Sequence, residues 1–283
     1  MRMRIGARVF EGPGPFLVGI VNTTPDSFSD GGRFLNLEDA VDRANTLLAE
    51  GADLVDLGGE STRPGAPAVP ADEELQRVVP VIERLRSHGF SLPISVDTSK
   101  AEVARAALDA GADLVNDVNG LAGPGMAELV AARGVPAVIM HRRGTPADMR
   151  AHATYRDVVS EVADELSELL RRALIAGVDR DRVLLDPGIG FAKTAEQSIA
   201  LLAGLGRLRS LGCPLLVGPS RKSFIGELTG AGVGDRLPGT LAAVAACVLA
   251  GAEFVRVHDV AAASQAARIA AAIRDAAGRT HPP

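Results

Sequence analysis

Gly51-Ala52-Asp53-Leu54-Val55-Asp56-Leu57-Gly58 decides the fold, because the same order of residue types returns twice more. It recurs as Gly111-Ala112-Asp113-Leu114-Val115-Asn116-Asp117 and as Gly251-Ala252-Glu253-Phe254-Val255-Arg256-Val257-His258-Asp259. Glycine accepts the left-handed conformation just past a helix end, and the apolar, β-branched run behind it suits a strand. Each copy reads as a helix handing over to a strand that stops in polar residues.

Carried along the chain, the pattern gives eight strands, at 16–22, 54–58, 94–98, 114–118, 137–141, 183–187, 215–220 and 254–259. They are short and apolar nearly throughout, as strands of a parallel sheet buried on both faces are. Helical periodicity fills the gaps. Leu37, Val41, Ala44 and Leu48 share a face behind Asn36, which reads as an N-cap; Leu75, Val78, Val79, Ile82 and Leu85 share one after Pro70. Eight β-α units in alternation predict an α/β protein, a closed (β/α)8 TIM barrel forming one domain over residues 1–283. The first β-α turn has no Gly-rich dinucleotide fingerprint, which counts against an open Rossmann sheet.

Composition agrees with a folded enzyme rather than a disordered or nucleic-acid-binding chain. Apolar residues make up 47% of the 283, and the net charge is −5, so no general positive field is available to nucleic acid. Cys213 and Cys247 sit in apolar stretches without metal spacing and read as packing thiols in a reducing compartment. Met1-Arg2-Met3-Arg4 is basic, but no long apolar run follows it. No stretch reaches the ~18 apolar residues of a membrane span. A cytoplasmic protein with neither membrane nor nucleic-acid partner is expected.

Two connections, 22–36 and 59–70, are long and rich in turn formers, and both leave strands at the face where barrel active sites form. At that face Asn22, Asp97, Asn116, His141, Asp186, Ser220 with Lys222, and Arg256 with His258 stand where strands finish. Taken singly, Asp97 or Asp186 reads as a cap for the next helix, and Arg63 as an exposed loop charge. Capping does not call for Lys222, Arg256 or His258, so the set reads as a site. Arg256 and His258, two residues apart on a strand, leave the same face; with Arg63 and Asn22 they suit a polyanion such as pyrophosphate. Asp97, Asn116 and Asp186 are acceptors, suited to a heterocycle with a donor edge such as an aminopyrimidinone. No Ser-His-Asp set, His-rich metal cluster or P-loop is present. Lys222 lies beside Arg221 rather than inside an apolar strand, a poor setting for a Schiff base.

At these residues the sequence resembles the dihydropteroate synthases, in the same order over nearly the whole chain. The matching segments are Asn22-Thr23-Thr24-Pro25-Asp26-Ser27-Phe28-Ser29-Asp30-Gly31-Gly32, Gly59-Glu60-Ser61-Thr62-Arg63-Pro64-Gly65, Asp97-Thr98 and Asn116-Asp117. Met140-His141, Asp186-Pro187-Gly188-Ile189-Gly190-Phe191, Ser220-Arg221-Lys222-Ser223 and Arg256-Val257-His258-Asp259 complete them. The resemblance implies that Asp97, Asn116, Asp186, Lys222 and Arg256 bind a pterin, and that Asn22, Arg63, Arg256 and His258 hold pyrophosphate. It implies Mg²⁺ as cofactor at Asn22, and a 4-aminobenzoate pocket walled by Phe28, Thr62, Pro64, Phe191 and Ser223. From the residues alone, Phe28 is a loop hydrophobe and Phe191 is core. The implied catalytic set is Asn22, Asp97, Lys222 and Arg256. The implied reaction is displacement of pyrophosphate from a dihydropterin pyrophosphate by the arylamine, which is uncharged at neutral pH and needs no strong base. The family is usually homodimeric, and the Ala-rich stretches 237–250 and 261–277 are candidates for the interface or for ordinary outer-ring packing.

The chain departs from the common family pattern at Thr23, at Arg142-Arg143, at Ala192, where Gly is usual, and at Pro219. Two rivals are weaker. A pterin-dependent methyltransferase has no pyrophosphate to hold, so the Ser220-Arg221-Lys222 and Arg256-Val257-His258 segments and the two long loops speak against it. A non-catalytic pterin-binding paralogue would be expected to lack some of Asn22, Asp26, Arg63, Arg256 and His258, and all are present.

Overall fold

Short strands buried on both faces must pair sideways and be covered on both sides. The computed structural model, which describes residues 1–23, 33–63 and 65–280, meets both demands with a ring of parallel strands inside a ring of helices. A hairpin of β1 (Arg2–Ile5) and β2 (Arg8–Glu11) comes first. The ring strands are β3 (Phe16–Asn22), β4 (Leu54–Gly58), β5 (Ile94–Asp97), β6 (Leu114–Asp117), β7 (Ala137–Met140), β8 (Val183–Asp186), β9 (Leu216–Val217) and β10 (Phe254–Val257). Each of β3 to β8 lies beside its successor, and β10 pairs with both β3 and β9. A bridge between Leu185 and Leu215 closes the ring, Leu185 N–H donating to the Pro214 carbonyl at 2.9 Å. Outside lie α1 (Arg33–Ala49), α2 (Ala71–Ser87), α3 (Ala101–Asp109), α4 (Met126–Arg133), α5 (Val158–Ile175), α6 (Ala195–Ala203), α7 (Leu205–Arg209), α8 (Ser223–Thr229), α9 (Leu237–Leu249) and α10 (Val260–Thr280). The expected (β/α)8 barrel is what forms.

The repeated Gly-Ala-acid segment fixes where neighbouring strands start. Gly51, Gly111 and Gly251 take φ of 91°, 111° and 89°, and the following Ala52, Ala112 and Ala252 each donate N–H back into the helix at 2.9 Å. The acidic residue then accepts a backbone N–H from the adjacent strand or its first residue. Asp53 takes that of Leu17 at 2.8 Å, Asp113 that of Ile94 at 2.9 Å and Glu253 that of Leu215 at 2.9 Å. An arginine balances each carboxylate: Arg8 on Asp53, Arg86 on Asp113, Arg209 on Glu253. Each clamp satisfies a strand-start donor and sets the register of two neighbouring strands.

Two apolar layers result. One lies between strands and helices. The other fills the lower barrel, where Val18, Leu54, Leu114, Val138, Leu184, Leu216 and Phe254 meet Met3, Ile5 and Phe10 of the hairpin. Phe10, Phe16 and Phe254 form a triangle with ring centroids 5.0–5.3 Å apart. The hairpin is a plug for the barrel floor, with Met3 and Ile5 buried between exposed Arg2 and Arg4.

Other local readings shift. Helix α1 starts at Arg33, so Asn36 is inside it and is not its N-cap; Leu47 is buried where Leu48 was expected, and Leu48 is exposed. On α2 the buried face is Glu74, Val78, Val81, Ile82 and Leu85, with Val79 and Leu75 only half-buried. Strand β9 keeps two residues of the expected six, because Pro214 and Pro219 bracket it and have no N–H to donate.

Phe10→Ala is expected to lower stability by ~3–5 kcal/mol, because a fully buried ring leaves a cavity in the plug. Urea unfolding measures it. A loss below about 1 kcal/mol would mean that the floor does not depend on the hairpin.

Candidate functional site

Alternation along a strand decides what faces the barrel interior. Above the apolar floor of Leu54, Leu114, Leu184 and Phe254, the next inward positions two residues on are Asp56, Asn116, Asp186 and Arg256. Asp97 joins them from β5, and one step higher stand Asn22 and His258. Polar groups from β4, β5, β6, β8 and β10 therefore meet at one height.

They are bonded to one another. Arg256 Nε donates to Asp56 Oδ2 at 2.5 Å and Nη2 to Asp97 Oδ2 at 2.8 Å. Asn116 Nδ2 donates to the same Asp56 oxygen at 3.0 Å. A carboxylate admits only a donor, so Asn116 turns its NH₂ to Asp56 and leaves its carbonyl oxygen for another donor. Asp56 is buried, and its Oδ1 has no partner among the described residues. Sequence reasoning missed this residue. Its signal was a charge inside the apolar run Leu54-Val55-Asp56-Leu57, on the one strand to which no site residue had been assigned.

Burial dominates the electrostatics. It raises Asp97 to about 7, opposed by Arg256 and reinforced by Asp56, Glu74 and Asp117. It raises Asp186 to about 6, opposed by the Gly188 N–H, which donates at 2.7 Å, and by Lys222 and Arg256. It lowers Lys222 to about 8, opposed by Asp186. For Arg256 burial works against the cation, but Asp56 and Asp97 more than offset it, so the guanidinium stays charged. The site is a cavity floor of near-balanced charge, able to present acceptors, a fixed cation and a titratable lysine together.

His258 lies where the charges of Arg256, Arg221 and Arg63 are all felt. Ser220 Oγ accepts from the His258 backbone N–H at 3.2 Å and bonds His258 Nδ1 at 2.9 Å. That N–H occupies one of the hydroxyl's two lone pairs, so either partner can donate in the Ser220–His258 bond; when the hydroxyl does, the ring proton sits on Nε2, free to donate elsewhere. Burial pushes His258 down to about 3, with Arg256, Arg221 and Arg63 adding to it. Arg63 is exposed on its loop, yet close enough to His258 to be felt. Asn22 is half-buried at the end of β3.

The expected wall residues divide. Lys222 reaches past Gly190, where an added Cβ would meet its Cδ at 3.2 Å, and sets Nζ 4.2 Å from the Phe191 ring centroid. Ser223 opens α8 and is exposed; Thr62 is half-buried. Phe28 and Pro64 lie outside the described residues. Among the departures, Thr23 donates its hydroxyl to the Gly58 carbonyl at 3.1 Å, Arg142 reaches Asn119 at 3.4 Å, and Ala192 takes a left-handed φ of 49°. His141 is not part of the mouth. It is buried and bonds Glu165 on α5 and Lys193 instead.

The loop after β4 is held at its root. Arg77 donates to the Gly59 carbonyl at 2.7 Å, and Lys100 bonds Glu60 at 2.6 Å and the fully buried Glu74. Farther on, Gly65 N–H donates to the Pro146 carbonyl at 2.8 Å, joining this loop to the one after β7.

The pterin binding enzyme family matches residues 18–258 of the chain. The chain is 47% identical to a dihydropteroate synthase of Synechocystis, covering 95% of this chain and 94% of that protein. It is similar to the dihydropteroate synthase of Xanthomonas albilineans solved with 4-aminobenzoic acid, at TM-score 0.90 and 49% identity, covering 96% and 98% of the two chains. A structure of the Xanthomonas enzyme with 7,8-dihydropteroate aligns at TM-score 0.87 and 45% identity, over 97% and 99%.

Lys100→Met is expected to destabilise the protein by about 3–5 kcal/mol, because Glu74 is then left buried without its cation. Replacing Glu74 by Met as well should recover most of the loss. Chemical denaturation of the single and double variants decides it; an unrecovered double variant would mean that the stem of Lys100, not its charge, is what matters.

Proposed function

The chain belongs to the pterin binding enzyme family, among its dihydropteroate synthases, and from that premise we propose how its residues serve the reaction. The enzyme condenses 6-hydroxymethyl-7,8-dihydropterin pyrophosphate with 4-aminobenzoate, giving 7,8-dihydropteroate and pyrophosphate in folate biosynthesis. One observation carries the assignment of roles: Arg256 is clamped between Asp56 and Asp97 at the same height as Asn116 and Asp186.

The pterin lies on this floor. Asp186 accepts from its amino edge, Asn116 offers the carbonyl oxygen that Asp56 leaves free, and Lys222 donates from above. Arg256, fixed through two nitrogens, keeps its remaining N–H groups for the ring or for pyrophosphate. His258 Nε2–H, Arg63 and Asn22 hold the pyrophosphate. As the methylene carbon–oxygen bond breaks, its electron pair leaves on pyrophosphate, and positive charge spreads over the pterin above the carboxylates of Asp97 and Asp186. The aniline nitrogen, held beside Phe191, Thr62 and Ser223, with Phe28 and Pro64 assigned to the same pocket, forms the new bond and loses a proton. Positioning and charge stabilisation do the work.

Mg²⁺ fits this donor set. Asn22, half-buried at the end of β3 on the side of Arg63 and His258, would offer one amide oxygen to the ion, and phosphate oxygens would supply most of the rest. When bound, Mg²⁺ neutralises charge on the pyrophosphate.

A homodimer is supported by α9 and α10. Between them runs a groove of about 420 Å³ lined by Leu241, Ala245, Leu249, Ile269 and Ile273. Ile269 is 64% exposed and Ile273 55%, an unusual pair of apolar side chains to leave in water.

Asp186→Asn should weaken binding of the pterin pyrophosphate tenfold or more, since an amide sets a donor against a donor and leaves a buried group unpaired, at ~1–3 kcal/mol. Burial holds Asp186 near 6, so wild-type affinity should fall as pH drops through about 6, where the free carboxylate takes up a proton, and the variant should keep only the part of the dependence that Asp97, near 7, contributes. Calorimetry with the pterin substrate tests both; unchanged affinity rejects the role. Pyrophosphate release from the two substrates tests the reaction itself. Ile269→Glu should convert a dimer to monomer in sedimentation, and a monomeric wild type would reject the interface.

A further inference from the structure

The loop between β8 and α6 is bent three times into the left-handed region, at Gly188 (φ 66°), Gly190 (79°) and Ala192 (49°). The first bend brings it against β7, because a Cβ on Gly188 would lie 1.9 Å from the His141 carbonyl oxygen. The third falls on a residue with a side chain, which resists that conformation. Such a residue persists where its surroundings over-determine it, and such places cluster at active sites.

The surroundings are a buried chain of polar groups. Lys193 Nζ donates to the Phe191 carbonyl at 2.9 Å and lies 3.0 Å from His141 Nδ1. The Glu165 carboxylate only accepts, so the His141 proton sits on Nε2, 2.9 Å from Glu165 Oε2 on α5, and Nδ1 is left to accept from Lys193. Arg143 bonds the other Glu165 oxygen at 3.0 Å and stacks on Tyr155 at 3.9 Å. Burial pushes Lys193 down to about 7, against the pull of Asp186, and a methionine would fill the same space without that penalty. What the lysine supplies is the two hydrogen bonds. The Phe191 ring lies under Lys222 at the end of this chain.

We propose that Lys193, held in place by His141 and Glu165, is a positioning residue for the aryl substrate: it fixes the Phe191 carbonyl and thereby where the Phe191 ring stands beside Lys222. The inference rests on the reading of Phe191 as a wall of the 4-aminobenzoate pocket. The strained backbone at Ala192 is held by Lys193 on its C-terminal side and by the Gly188 contact upstream. Without Lys193 the loop has a cheaper conformation available, and the ring moves with it. Of the pterin floor, Asp97, Asn116 and Arg256 receive no hydrogen bond from this chain, and Asp186 feels Lys193 only as a charge weaker than Lys222 and Arg256, so pterin binding should respond little.

The test is steady-state kinetics with both substrates and Mg²⁺, together with calorimetry of the pterin pyrophosphate. Lys193→Met should raise KM for 4-aminobenzoate about tenfold. Pterin affinity should stay within about twofold. Because Lys193 acts through Phe191, adding Lys193→Met to Phe191→Ala should change KM by less than about twofold more. Glu165→Gln, which keeps an acceptor for His141, should stay near wild type where Glu165→Ala raises KM; this pair serves if the lysine variant does not fold. If Phe191→Ala raises KM and Lys193→Met or Glu165→Ala does not, or if the Lys193 and Phe191 effects multiply, the positioning role is overturned. If Phe191→Ala leaves KM unchanged, the pocket reading fails, and the role of Lys193 fails with it.

Discussion

In a ring of parallel strands every second side chain points inward, so height above the floor, counted in steps of two residues, decides what each residue can do. Leu54, Leu114, Leu184 and Phe254 close the bottom against the hairpin. Two residues later on each strand stand Asp56, Asn116, Asp186 and Arg256. The change from sealed core to charged floor takes one pleat, about 7 Å of strand. That abruptness accounts for the electrostatics. The carboxylates of Asp97 and Asp186 have apolar walls beneath them, and burial outweighs their cationic neighbours. A protein tuned for stability alone would place leucines there; the charged floor is tolerated because Arg256 ties Asp56 and Asp97 together.

The fold was legible because its punctuation is local. Gly-Ala-acid marks the same helix-to-strand handover at residues 51, 111 and 251, and the acid's clamp on the neighbouring, preceding strand shows why the third position is Asp or Glu. The site was legible where function forces a cation or amide onto a strand end, as at Asn116, Lys222 and Arg256. What stayed hidden depends on partners far away in sequence. Met3, Ile5 and Phe10 alternate with polar residues over too short a span to stand out beside the basic start Met1-Arg2-Met3-Arg4, and their burial needs Phe254. Asp56 looks like an interruption in a strand until Arg256 arrives from β10. His141 looks like a strand-end ligand until Glu165 and Lys193 take both its nitrogens.

The loops above the floor form a linked set. Glu60, at the root of the loop after β4, is tied to Lys100 beyond β5, while Gly65 near the tip is tied to Pro146 beyond β7. Arg63 sits between these anchors, exposed, and reaches His258 by charge alone. An anion entering the mouth meets a cation on a segment fastened at both ends, which confines Arg63 to a short arc.

The plugged floor also bears on synthesis. Residues 2–11 leave the ribosome well before Phe254 of β10, yet the surface they cover is finished only when Phe254 has been made. Until β10 arrives, β3 has an unpaired side and the hairpin an incomplete seat. Contacts spanning almost the whole chain fold slowly, and an open strand edge in a nascent chain is a site for mispairing. Ring closure is therefore a late step, and the β3 edge stays open to mispairing until β10 is released.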